Sequence, residues 1–226
     1  MMQERSIKSW WQRRLPDISA AAARFPLAVA IAAALTAYKL YRGSLIGDVQ
    51  IRIMVWLAAS FVWVVAVDLY AESQRRSSRA RVVLWLFGVA VLGALLWLDT
   101  AIWLNAALLL ASLVLALTLA GHLGRRETNE TLWLFNHRLW LGALLAGVGA
   151  GLLGIGLSAI HETIKLLFGL TVFRNAQEYI WAVSLRLVAP VSFLAFAPRR
   201  FSDPITEAER QDFTKRAAAA LVKFVL

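Results

Sequence analysis

Arg186 is the residue with the most chemical potential in this sequence. It stands about two turns inside an apolar block, Tyr179–Ala197, at a depth where a charge is costly and turns toward protein or water. Pro190 follows four residues later. Proline has no N–H, so an α-helix through this point leaves the Arg186 carbonyl without its donor and is expected to kink. A cation, a freed carbonyl and a bend in one place suit a polar pathway or an anion-binding spot. The structural alternative, and the preferred one, is an arginine paired to a neighbouring acid or snorkelling to the headgroups. Asn105 and Glu162 are expected in the same outer half of the protein, with Asp99, His161 and Glu178 near the outer surface. Arg186, Asn105 and Glu162 therefore make the candidate intramembrane polar cluster. Asp68, near the inner end of another apolar block, has two readings: a partner for Arg24, or an interfacial carboxylate beside Arg75 and Arg76. The second is preferred.

Other patterns carry less. Gly149-Ala-Gly151-Leu-Leu-Gly154 fits the dinucleotide-binding fingerprint by letter, but that motif needs a strand before it and a soluble βαβ unit around it. Inside an apolar block the glycines read as helix-packing positions, because small residues let backbones approach closely in lipid. Gly147 and Gly151 form one such row; Ala146, Ala150, Gly154 and Ser158 form another. The helix carrying them is expected to be central to the bundle, with a hinge as the weaker alternative. Asn129-Glu130-Thr131 is a glycosylation sequon on the side expected to be cytoplasmic, and is taken as chance. His161-Glu162 suggests a metal, yet His122 and His137 fall on the opposite side, so three-ligand zinc geometry is hard to assemble. There are no cysteines, which excludes disulfides, thiolate metal sites and cysteine nucleophiles. No Ser-His-Asp set is visible. The sequence thus nominates no catalytic, cofactor-binding or metal-binding residue, and a non-enzymatic role is expected.

The elements that must position these residues are membrane spans. Of 226 residues, 60% are hydrophobic, and mean hydropathy is +0.63. A bilayer core takes roughly 17–25 apolar residues per helix. Six blocks approach or meet that length: Phe25–Tyr41, Ile53–Ala71, Val82–Leu98, Ala101–Ala120, Leu139–Ile160 and Tyr179–Ala197. A seventh apolar run, Ala217–Leu226, is expected to begin a further span in a longer protein, with a short interfacial helix as the alternative. No cleavable signal sequence is evident, since a charged, Trp-containing stretch precedes Phe25. Net charge is +10. Counted by loop, seventeen Lys and Arg fall on the N-terminal side of the six crossings and five on the other. The rule that basic loops stay inside puts the N-terminus in the cytoplasm. It also assigns the basic excess to anionic lipid of the inner leaflet and excludes nucleic acid as a partner. Trp97, Trp103, Trp133, Trp140, Tyr179 and Trp181 stand near block ends, as interfacial aromatics do.

The resulting organisation has four parts. Residues 1–24 form a basic, amphipathic, interfacial segment, with Ile7, Trp10, Trp11 and Leu15 at helical spacing before Pro16. Residues 25–198 form a six-span bundle, 199–216 a cytoplasmic loop, and 217–226 the start of the seventh span. Glu162–Asn175 is expected to lie along the outer surface. The fold class is all-α, a polytopic transmembrane helix bundle.

The stretch Glu130-Thr-Leu-Trp-Leu-Phe-Asn136-His-Arg-Leu-Trp140-Leu-Gly-Ala resembles the bacterial family called domain of unknown function 4153. So do Phe168-Gly-Leu, Tyr179-Ile-Trp, Ala189-Pro190, Phe201-Ser-Asp-Pro204 and the run from Phe213 to Leu226. The resemblance is best over Leu132–Leu226. It implies a multi-pass protein of the bacterial inner membrane with further spans beyond Leu226, and it carries over no functional residue. Two functional classes stay open. A transport or permeation protein would line a shared cavity with its polar groups. A non-catalytic membrane scaffold or sensor, working with other membrane proteins or as a homo-oligomer, would hold them paired and closed off. A membrane-embedded enzyme acting on lipid or envelope precursors comes third, for want of clustered carboxylates or histidines.

Overall fold

The computed structural model describes residues 19–42, 47–74, 76–98, 102–123, 129–169 and 175–197. These are almost wholly helical, and no strand occurs among them. A short helical stretch, 19–24, leads through Phe25 into α1, Pro26–Arg42. Proline fits that first position because its missing N–H has no partner to lose there. The following helices are α2 (Asp48–Ser73), α3 (Ser78–Leu98), α4 (Ile102–Ala120) and α5 (Asn129–Phe168). The last span runs from Ala176 to Phe196 as α6 (Ala176–Val183), a π-helical segment (Ser184–Val188) and α7 (Ala189–Phe196).

Four of these helices are long and apolar enough to cross a membrane: α2, α3, the Thr131–Phe168 part of α5, and the last span. The other two, Pro26–Tyr41 and Ala106–Ala120, are apolar but shorter. At 1.5 Å per residue α1 reaches about 26 Å, just under the ~30 Å hydrocarbon core.

Helix α2 is the centre of one half of the bundle. It packs against α1, α3 and α4, while the last span packs against α1 and α5. Val64, Val65 and Leu69 of α2, Phe25 just before α1, Ala28 of α1, and Leu194 of α7 are all buried in one core. The expectation that the glycine-rich helix is central is corrected here. Helix α5 packs chiefly along the last span, and only one of its two rows of small residues is used. Ala146, Ala150, Gly154 and Ser158 are buried. Gly154 meets the Trp181 ring at 3.1 Å from where a β-carbon would stand, and Gly142 meets Phe196 at 2.9 Å. A β-carbon at Gly147 or Gly151 would have nothing within 4 Å. One residue is 100° of helix rotation, so adjacent rows cannot both face one neighbour.

The helix also outruns its expected span. Asn129–Phe168 is continuous over 40 residues, about 60 Å at 1.5 Å per residue. The expected outer-surface segment is thus, as far as Phe168, a projection of α5. It ends at Gly169, whose φ of 61° is the left-handed conformation that closes helices. The amphipathic 1–16 stretch, the Asp99–Thr100 turn and residues 199–226 lie outside the described residues.

A different pair of glycines sets the contact between α2 and α3. The Trp63 indole N–H donates to the Leu84 carbonyl and that of Trp56 to the Val89 carbonyl, each at 3.0 Å. Each acceptor lies four residues before a glycine, Gly88 or Gly93, and each indole rests on that glycine. Without a β-carbon in the way, the ring can reach a carbonyl already used within the helix.

Candidate functional site

Of the expected cluster of Arg186, Asn105 and Glu162, the two members with described side chains, Arg186 and Glu162, form no ion pair with one another. Glu162 is exposed on the α5 projection, with Lys165 at 3.7 Å on the next turn. Asn105 belongs to α4, which packs on α2, whereas Arg186 belongs to the last span, which packs on α1 and α5; the Asn105 side chain is outside the described set. Arg186 is half-buried within the π-helical segment. There the chain answers Pro190 by widening: the Ala189 N–H reaches back to the Ser184 carbonyl, five residues away. Such π-bulges mark positions where ordinary helical bonding has been broken. Ser184 is fully buried beside it, and its hydroxyl has no hydrogen-bond partner among the described residues.

The structure gathers its charges at the helix ends instead. Arg24, in the last turn before α1, makes a two-pronged bond to Glu72 near the end of α2. Its Nη2 is 2.6 Å and its Nε 3.0 Å from the carboxylate oxygens. Arg24 Nη1 also donates to the Ala197 carbonyl at 3.0 Å, at the end of the last span. The guanidinium lies 4.7 Å over the Phe25 ring. One arginine thus ties three helix ends together. Fork-like pairing of this kind fixes geometry as well as charge.

Asp68 is one turn earlier on the same face of α2, and the structure corrects its reading as a partner for Arg24, which Glu72 takes instead. It makes no bond to Arg24, and it is covered by protein rather than open beside Arg76. It is fully buried, with Arg81 of α3 as its nearest cation, Nε to Oδ1 at 3.7 Å. Among the described residues no hydrogen-bond donor reaches either of its oxygens. The buried Arg81 Nε and Trp85 Nε1 likewise lack acceptors. The Arg81 guanidinium sits 5.1 Å over the Trp85 ring.

The same end receives the α4 C-terminus. Gln74 donates to the Leu123 carbonyl, and His122 meets Phe135 of α5 edge-on at 5.0 Å. At the opposite end, Lys39 of α1 pairs with Glu178 at the start of the last span at 2.5 Å. Arg52, early in α2, donates to the Leu96 carbonyl late in α3. Each of these interhelical contacts joins residues that an alternating up-and-down topology puts on one side. Among the described residues no group of three or more His, Cys, Asp or Glu could hold a metal ion.

Sequence reasoning missed three features. Glu72 was overlooked because a carboxylate at a span's end is ordinary. Arg81 was counted only as a loop charge. Trp56 and Trp63 carried a usable signal, since both stand within the apolar block rather than in an interfacial belt. Searches of family models, curated proteins and solved structures gave no match to this chain, so the comparisons lend the family resemblance no support.

Proposed function

We propose that this chain is a non-catalytic scaffold or sensor component of the bacterial inner membrane, crossing it six times with the N-terminus in the cytoplasm. The observation that carries this reading is the closure of charge at both ends. Arg24 holds Glu72 and Ala197 at one end, and Lys39 holds Glu178 at the other. Charges spent on holding helices together are not available to line a pathway. The orientation rests on the seventeen-to-five bias in Lys and Arg. The bacterial source and the kinship with domain of unknown function 4153 rest on the motif residues quoted above. Partners, on this reading, are anionic inner-leaflet lipid and other membrane proteins or copies of this chain.

A permeation reading has one observation in its favour, the half-buried Arg186 inside a π-helical segment. Proteoliposomes separate the two. The scaffold reading expects solute and ion leak at the level of empty vesicles. A flux that Arg186→Ala abolishes sinks it. Reporter fusions after Gln74 and after Glu127 should both report cytoplasm, and a periplasmic signal at either breaks the six-span topology.

A further inference from the structure

Asp68 stands apart from the other charges. Among the described residues no other carboxylate is fully buried, and Glu72, one turn away, has a fitted partner where Asp68 has none within hydrogen-bond reach. An ionised carboxylate buried without hydrogen bonds is among the costliest groups a protein can hold. Two donors lie near it: Arg81 Nε at 3.7 Å, and the buried Trp85 indole N–H, near enough to act on the carboxyl group but short of hydrogen-bond geometry. This is a site built around a group that changes state. Proton uptake removes the charge and gives the carboxyl a donor of its own.

We propose that Asp68 is a proton-binding site of the bundle, loaded from the cytoplasmic end. A hydronium ion gives its proton to one carboxylate oxygen, an O–H bond forms, and water is released. Asp68 goes from one negative charge to none. The charges facing it are Arg81 from α3, Glu72 from its own helix, and Arg24 from the turn before α1, the last already engaged by Glu72. Helix α4 brings His122 to this end, where its ring lies against Phe135. Neutral Asp68 leaves Arg81 without its counter-charge. The Arg81 side chain is 29% exposed, so it can turn outward to lipid phosphate. The α2–α3 contact then loosens while the Arg24–Glu72 latch between α1 and α2 holds. This proposal extends the sensor reading by naming the proton as the signal.

The test is infrared difference spectroscopy between about pH 6 and about pH 9, a range in which solvated carboxylates stay ionised, on the full chain in nanodiscs. A protonated-carboxyl C=O band should titrate, vanish in Asp68→Asn, persist in Glu72→Gln, and shift in frequency in Asp68→Glu. Arg81→Gln should move its midpoint; Lys39→Gln, at the far end, should not. If Asp68→Asn fails to fold, 13C-aspartate labelling of the native chain must shift the band and 13C-glutamate must not. Absence of a titrating carboxyl band, or a band that follows glutamate labelling or survives Asp68→Asn, overturns the proposal. Flux through proteoliposomes would overturn the scaffold reading and leave this band untouched.

Discussion

Replacing Gly88 by alanine tests how α2 and α3 are held. A β-carbon there would stand 1.9 Å from Trp63 Nε1, 2.1 Å from Cε2 and 2.6 Å from Cδ1. All three are inside contact distance, so the indole must withdraw. Withdrawal breaks the 3.0 Å bond to the Leu84 carbonyl, a loss of about 1 kcal/mol. Overpacking of a fitted core adds about 1–3 kcal/mol. Against this, Gly→Ala within a helix contributes about 1 kcal/mol of stabilisation. The net is a destabilisation of roughly 1–3 kcal/mol. Gly93→Ala meets Trp56 Nε1 at 3.2 Å, a contact that a small shift relieves, so strain and helix propensity should nearly cancel. Gly151→Ala meets nothing within 4 Å and should stabilise by up to about 1 kcal/mol. Thermal unfolding in detergent, followed by size-exclusion recovery, should therefore rank Gly151→Ala above the native chain, Gly93→Ala near it and Gly88→Ala well below. Trp63→Phe combined with Gly88→Ala should cost less than the sum of the two single changes, by about 1 kcal/mol or more. Equal stability of Gly88→Ala and Gly151→Ala would refute the account of the α2–α3 contact.

Other expectations concern the charges. Glu72→Gln should lower stability by about 1–3 kcal/mol, and the swap Arg24→Glu with Glu72→Arg should recover part of that loss in the same unfolding assay. Because the chain has no cysteine, Lys39→Cys with Glu178→Cys should be joined by a short bifunctional thiol reagent that spans the length of the two lost side chains, seen as a mobility shift on gels. The pair Lys39→Cys with Glu72→Cys, from opposite ends, should not. Arg186→Leu should leave thermal stability unchanged or raise it by about 1 kcal/mol, since a half-buried charge in a bilayer is a cost; a clear loss of stability would show that the guanidinium holds a structural contact.

The sequence made the apolar helices legible because a bilayer demands long, uninterrupted hydrophobic runs. Alternation of successive helices made it legible which ends share a side, and Lys39 with Glu178 and Arg24 with Glu72 meet at the ends that alternation brings together. Pro190 correctly marked a break in helical bonding, because the missing N–H is a property of one residue. The pairing of helices was not legible. Two rows of small residues on one helix look alike until a neighbour is in place, and the neighbour chose Gly154 over Gly147 and Gly151. Asp68 was misjudged for a related reason. Its depth could be counted along the chain, but its burial depends on α3 bringing Arg81 and Trp85 over it. Depth along the chain could not show that Asn105 and Arg186 sit on helices with different neighbours, nor that Glu162, on the helix beside Arg186, faces out next to Lys165.

The length of α5 has a mechanical consequence. Some 60 Å of unbroken helix, gripped mainly along one side by the last span, is a stiff lever with its fulcrum in the membrane. A tilt of ~5° about its middle swings each tip by roughly 2.6 Å in opposite directions. At the N-terminal tip the stacked pair Trp133 and His137, 5.1 Å apart, would move against whatever lies there. At the C-terminal tip the exposed Leu166, Leu167 and Phe168 would move the other way. A load on one surface is thereby delivered to the other with no solute crossing between them.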